Sequence, residues 1–428
     1  MRKYYPLFLV LIFILCFKAF EISYFDKDQS LDMAQIQGLK LHLKTTSDFF
    51  LPYPTKDGTF RWSTSGLGLL YLLQKYFSGN TIYLILTALL FLISFKVTLV
   101  ISRSPPFAYI FSYLITLGYN YFIVFFDTRV LGLIPFLIFG LLNFLCFYQL
   151  AIVNKKSLSI KFGFIFTLIL LIFCWDSWID YALALGVLSY LFKVRNRFFL
   201  NAGLIIFPIY FVLRFHLIGH VGEITGPGRE VDFIFNYNSW MLGIEDFSTN
   251  IIRYIHSALT NYFPLMPLNP LVVNSSRPID LINSFSPGAT FQQDAVYYNY
   301  LYGWYLYAGI TFSIYILAVF KFVLKKRDNL SFILTSGFIF VFFGGFTHYF
   351  IKFRPLLVLP YNYSYRQLFS VIGVTLIIAF IGDYIYKEKK AGITFLIAFC
   401  LCFTGMSFLK TKKAIDHSFI HNKLNLAR

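Results

Sequence analysis

Apolar stretches of roughly twenty residues recur from one end of the chain to the other, separated by short polar breaks. A helix needs about 20 such residues to cross the hydrocarbon core of a bilayer. The pattern predicts spans at 4–25, 80–102, 106–126, 130–152, 159–176, 177–193, 198–217, 297–320, 331–351, 366–386 and 391–409. The two middle spans are short enough to be tilted or re-entrant. The expected fold is an all-α, polytopic integral membrane protein of about eleven transmembrane helices. No stretch is long and polar enough for a separate soluble domain, so residues 1–428 read as a single membrane unit.

The polar breaks set an orientation. Arg2-Lys3, Arg103, Lys155-Lys156-Lys161, Lys193-Arg195-Arg197, Lys321-Lys325-Lys326-Arg327 and Lys387-Lys389-Lys390 all fall on one side of the map. The positive-inside rule makes that side cytoplasmic. Lys410, Lys412 and Lys413 fall on the other side, which leaves the C-terminal tail unassigned. Two long breaks, 26–79 and 218–296, then lie outside. Ile36, Leu39 and Leu43 recur at helical spacing in the first, so a short amphipathic helix over 31–43 is expected on the membrane surface. Trp240, Tyr254, Tyr262, Pro264, Pro267 and Pro270 give the second the composition of a packed cap over the helices.

Composition agrees with the pattern. Apolar residues make up 58% of the chain and charged residues 13%, about half the share in a soluble domain. The net charge of +17 raises the question of nucleic acid. Its clustering between apolar runs answers to membrane topology instead, and no nucleic-acid partner is expected. Arg2-Lys3 followed by apolar residues to Phe20, with no small-x-small cleavage site, reads as an uncleaved signal anchor. These features suit the inner membrane of a bacterium, with the long loops in the periplasm. All five cysteines, at 16, 146, 174, 400 and 402, lie in apolar runs, which argues against a disulfide framework or zinc site. There is no phosphate-cradling glycine loop, His-Glu-x-x-His or Gly-x-Ser-x-Gly, so ATP-driven chemistry within the chain is not expected. The absence of an evident internal repeat weighs against a transporter built from related halves.

Against this background a few charges on the external side carry chemistry. Asp26, Asp28 and Asp32 stand where the first span gives way to the surface helix. One of them can act as a base or ligand, and Asp28 or Ser30 is equally suited to cap that helix. Asp127-Thr128-Arg129 is the whole of a very short external turn. It places an acid and a base at the mouth of the bundle, as an ion pair or as site residues. Asp176 and Asp180 lie among Trp175, Trp178 and Tyr181, where an interfacial belt explains the aromatics but not the acids. Beside Tyr365, cations stand on the side where they are otherwise scarce: Arg354 and Arg366, with Arg61 as a further candidate. Each can hold a phosphate through its guanidinium fork or snorkel to lipid phosphates.

Asp28-Gln29-Ser30-Leu31-Asp32 at the head of the first external loop, Thr64-Ser65-Gly66-Leu67-Gly68-Leu69-Leu70-Tyr71 further along it, Asp127 in the second external turn and Tyr365-Arg366 before a late span share an order and a side. In these respects the chain resembles the C-type superfamily of polytopic glycosyltransferases, which use polyprenyl-phosphate sugars. Gln29 stands where that family often has a second acid, and the family's proline pair is absent. The resemblance implies a hexosyl or pentosyl transfer in cell-envelope polysaccharide biosynthesis, from a polyprenyl-phosphate sugar to a glycan, lipid or protein acceptor. It implies Asp28, or Asp26, as the base on the acceptor hydroxyl, and Asp127 as an orienting acid or a ligand to a divalent ion. Arg129, Arg354 and Arg366 would then stabilise the departing phosphate, with Arg61, Tyr365, Asp176 and Asp180 lining the substrate. A monophosphate leaving group can be met by cations alone, so a divalent cation is optional. Two other readings stay open: an O-antigen or capsule-type polymerase, on the spacing of Arg129 and Gly140, and a transporter of lipid-linked saccharide.

Overall fold

The computed structural model describes residues 10–19, 53–54, 60–61, 73, 76–77, 79–118, 133–174, 178–194, 198–199, 201–202, 206, 251–252, 254–256, 258–259, 309–319, 329–346, 368–388, 398, 401–402 and 405. These are mostly helical. In chain order the helices are α1 (Val10–Ala19), α2 (Gly79–Ser102), α3 (Pro105–Tyr113), α4 (Leu133–Ala151), α5 (Leu158–Ile172), α6 (Trp178–Leu191), α7 (Gly309–Ala318), α8 (Asn329–Phe343) and α9 (Leu368–Glu388). Each falls on a predicted span. Among the described residues three stretches, Thr81–Ser102, Ile134–Ala151 and Phe369–Lys387, are long and apolar enough to cross a membrane, and the other apolar helices are shorter. One departure from the all-α expectation is a two-residue antiparallel ladder, β1 (Tyr53–Pro54) with β2 (Phe60–Arg61), pairing Tyr53 with Arg61. The expected surface helix at 31–43 lies outside the described residues.

The helix ends follow from local chemistry. Pro105 and Pro106 occupy the first turn of α3, where their missing amides are no loss, and Ser104 before them is extended. Beyond Tyr113 the helix widens into a π turn, Leu114–Gly118. Arg103, Asn154 and Lys193 follow α2, α4 and α6 in left-handed backbone, with φ of 55°, 56° and 51°. That conformation commonly ends a helix but favours glycine. Beyond α6 the amide of Lys193 bonds the Tyr190 carbonyl at 3.0 Å and that of Val194 bonds Ser189 at 2.9 Å, the paired closure of a Schellman turn.

The chain divides into two compact units, 1–116 with 121–229 and 117–120 with 230–428. In the first, α2 packs on α3 and α4, and α4 packs on α5. Phe107, Phe111, Phe136, Phe147 and Trp178 are fully or nearly fully buried there. In the second, α8 and α9 form the main seam. The seam is narrow because glycines line it. A Cβ on Gly373 would stand 2.6 Å from the Gly337 oxygen and 2.7 Å from the Val341 nitrogen, and one on Gly344 would overlap Ser370. Close backbones gain dispersion contact, which replaces hydrophobic drive where the surroundings are lipid. Ser370 adds a hydrogen bond from its hydroxyl to the Val341 carbonyl at 3.2 Å.

Within the 218–296 stretch, Tyr254, Ile255, His256 and Ala258 are buried. The Tyr254 hydroxyl donates to the Phe342 carbonyl at 2.8 Å and accepts the Gly345 amide at 3.2 Å, so it closes the end of α8. His256 Nδ1 meets the Thr311 hydroxyl of α7 at 3.2 Å. Burial lowers the His256 pKa from 6.5 to about 4, because the imidazolium loses its hydration. The folded chain therefore keeps this ring neutral while the unfolded chain protonates it. Stability from the neutral ring is complete above pH 6.5 and is lost as pH falls toward 4. Between pH 7.5 and 5 the loss should be about 2 kcal/mol. Thermal unfolding in detergent at the two pH values reads it, and His256→Asn should flatten the pH dependence. An equal fall in that variant would assign the effect elsewhere.

Candidate functional site

Asp180 is the candidate whose side chain the structure describes. It lies in the first turn of α6, where the positive end of the helix dipole favours a carboxylate. It is fully withdrawn from solvent, as are Trp178 and Tyr181 beside it. The aromatics of this segment are therefore packed interior residues, and the acid is carried inward with them. An ionisable group inside an apolar bundle is expensive to keep and commonly marks a functional position.

Tyr181 ties this turn to two other helices. Its hydroxyl lies 3.0 Å from Asn143 Oδ1 and 3.2 Å from the Gly140 carbonyl, both on α4. Asn143 Nδ2 donates to the Phe164 carbonyl at 2.8 Å and to Thr167 Oγ1 at 2.9 Å on α5. Thr167 in turn donates to the Gly163 carbonyl at 2.7 Å. Every donor in this chain has an acceptor, so the network rigidifies the packing of α4, α5 and α6 rather than offering open hydrogen-bond capacity. It fixes the position of the turn that carries Asp180. The Gly140 carbonyl also has a structural employment here, independent of its spacing from Arg129.

Asn143→Leu removes the hub and leaves the Thr167 and Tyr181 hydroxyls to be satisfied locally. Interhelical hydrogen bonds in membranes are worth roughly 0.6 to 2 kcal/mol. A destabilisation of about 1 to 2 kcal/mol is expected, with Tyr181→Phe giving about half. Unfolding of the purified chain in mixed micelles checks both, and a larger effect for Tyr181→Phe would place the hub elsewhere.

No family model matches the chain, and no curated protein or solved structure matches it.

Asp26, Asp28, Asp127, Arg129, Asp176, Arg354, Tyr365 and Arg366 lie outside the described residues. Arg61 is described in its backbone alone, as the β2 residue opposite Tyr53. Among the described residues no three His, Cys, Asp or Glu side chains gather as a metal site. Cys16, Cys146 and Cys402 are free thiols.

Three buried ionisable groups went unremarked in the sequence reading. Lys18 in α1 is 1% exposed, Asp383 in α9 is 3% exposed, and His256 is the third. Asp383 accepts a hydrogen bond from Lys387 at 2.7 Å, one helical turn on, while the lysine itself remains half exposed. A lone charge or amide in an otherwise apolar run was the available signal for Lys18, Asp383 and Asn143 alike. The π turn Leu114–Gly118 is another, since such turns concentrate at functional sites. It leads into the segment that carries Asp127.

Proposed function

We propose that the chain is a membrane glycosyltransferase that moves a sugar from a polyprenyl-phosphate donor to a glycan, lipid or protein acceptor. The observation that carries this reading is Asp180, a carboxylate held out of water at the head of an apolar helix, on the side where the other external acids and arginines fall in the sequence. In this reading eleven spans run from a cytoplasmic N-terminus in the inner membrane of a bacterium, and 26–79 and 218–296 face the periplasm. Asp28, with Asp26 as the alternative, takes the proton of the acceptor hydroxyl as it attacks the anomeric carbon. The bond from that carbon to the phosphate oxygen breaks, and polyprenyl phosphate leaves with its charge met by Arg129, Arg354 and Arg366. Asp127 orients the acceptor or holds a divalent cation. Arg61, Tyr365, Asp176 and Asp180 line the sugar and the phosphate.

The donor class tests the reading. Purified chain in detergent is given labelled polyprenyl-phosphate hexose and pentose in parallel with undecaprenyl-diphosphate oligosaccharide. The monophosphate donors should be consumed only when acceptor is present. Lengthening of the diphosphate-linked repeat with the monophosphate ignored would establish a polymerase instead. Passage of intact lipid-linked sugar across a vesicle, with no bond made, would establish a transporter.

A further inference from the structure

Among the described residues, one end of the first unit gathers cations without acids. α2 and α4 pack on each other, and the Arg103 charge just past α2 is felt at Tyr148 near the close of α4, so the ends of the two helices lie on one side. The turn from α4 to α5 carries Lys155 and Lys156, both exposed, and Lys161 follows on α5. Lys161 Nζ stands 5.8 Å from the centre of the Phe198 ring, which packs on Phe164. Tyr181 meets Gly140 and Asn143, so α6 and α4 run down together. At 1.5 Å per residue, Leu191 is then level with about Ala151. Exposed Lys193 therefore joins the same end.

The backbone that carries most of these cations is held in place. The amides of Arg103, Lys155, Lys161 and Lys193 all bond back to helix carbonyls, at 2.9, 2.9, 3.2 and 3.0 Å. Neutralising helix termini does not use them up. Three helix C-termini and two N-termini meet here, together about half a negative charge, against five cations. No Asp or Glu occurs between Asp57 and Asp127, between Asp127 and Asp176, or between Asp180 and Glu223, so the flanking sequence supplies no counter-charge.

Directly beside the basic turn begins an apolar stripe on α5. Leu158, Phe162, Phe166 and Ile169, at helical spacing, are 80%, 70%, 51% and 41% exposed. Cationic charge at the rim and bare apolar surface along the adjoining helix match the two parts of one molecule, an anionic phospholipid. We propose that Arg103, Lys155, Lys156, Lys161 and Lys193 seat anionic phospholipid headgroups, with acyl chains lying along the Leu158–Ile169 face of α5. The positive-inside bias accounts for the side on which such cations fall. It does not require cations on ordered turns directly above an exposed apolar stripe. This seat is independent of the sugar-transfer reading and stands or falls without it.

The test uses the full chain, purified in a neutral detergent and mixed with equal amounts of dioleoyl-phosphatidylglycerol and dioleoyl-phosphatidylcholine. Native mass spectrometry counts the lipids retained. Wild type should retain the phosphatidylglycerol preferentially, and 500 mM NaCl should erase the preference by screening. Each lysine neutralised near the surface should lower retention roughly fivefold, so Lys155→Gln/Lys156→Gln/Lys161→Gln should show none of the preference. Lys387→Gln, whose lysine is already paired with Asp383, should change it less than about twofold. If the triple variant does not fold, Lys155→Gln/Lys156→Gln on the exposed turn gives the same reading at smaller amplitude. Equal retention of both lipids by wild type, an unchanged preference in the variants, or full displacement by millimolar inorganic phosphate would each overturn the proposal, the last by showing a free-phosphate site.

Discussion

Asp28→Asn should lower acceptor-dependent sugar transfer by about a hundredfold to ten-thousandfold, the range expected when a general base is lost. The asparagine keeps the size and a hydrogen bond but cannot take the acceptor proton, so the chemical step slows more than binding does. kcat should fall with KM within about threefold, which separates loss of the base from loss of the acceptor site. Asp26→Asn should cost less than about tenfold, since it removes only a neighbouring charge. Initial rates with labelled polyprenyl-phosphate sugar at saturating acceptor give both numbers. Turnover that survives both substitutions together would remove this loop from the chemistry. A fall confined to KM would recast Asp28 as an acceptor-binding residue.

The largest stability effect should come from the narrow seam of α8 and α9. Gly373→Leu forces a branched side chain into backbone at the 2.6 and 2.7 Å positions where even a Cβ overlaps Gly337 and Val341. The two helices can accommodate it only by separating, which also stretches the Ser370 bond to the Val341 carbonyl. Overpacking of this kind costs roughly 3 kcal/mol or more, and Gly373→Ala roughly 1 to 2 kcal/mol. Gly186 on α6 supplies the control, because a Cβ there meets nothing within 4 Å. Gly186→Ala should be neutral or slightly stabilising through helix propensity. Equal thermal midpoints for Gly373→Leu and wild type would mean that the seam opens at no cost.

The helices were legible because a bilayer-length apolar run has few alternatives, and because the basic turns mark their ends. The tight meeting of α8 and α9 was not legible. Gly337, Gly344 and Gly373 look like ordinary glycines in apolar runs until the partner helix is known to lie against them. The ladder at Tyr53 and Phe60 was missed for another reason. Two residues per strand are too few to show the alternation that announces a strand.

At the candidate site the sequence located the acids but not their surroundings. Trp175, Trp178 and Tyr181 read as an interfacial belt, which left Asp176 and Asp180 among them unexplained. Whether such a residue faces lipid, water or protein depends on which face of α6 packs on α4. That face is set by Tyr181 reaching Asn143 and Gly140, about forty positions earlier in the chain. A single polar residue such as Asn143 inside a long apolar helix carries more information than its composition shows, because lipid leaves it nothing else to bond. His256 is a similar case, where a loop residue proves buried against Thr311 of α7.

The most direct measurement is the stoichiometry of the leaving group. The full chain in proteoliposomes, supplied with doubly labelled polyprenyl-phosphate sugar and acceptor, should release one polyprenyl phosphate for each sugar transferred. Release should stop when acceptor is withheld or when Asp28 and Asp26 are both asparagine. Release no greater than in protein-free vesicles, across hexose and pentose donors and across glycan, lipid and protein acceptors, would contradict sugar transfer as the function of this chain.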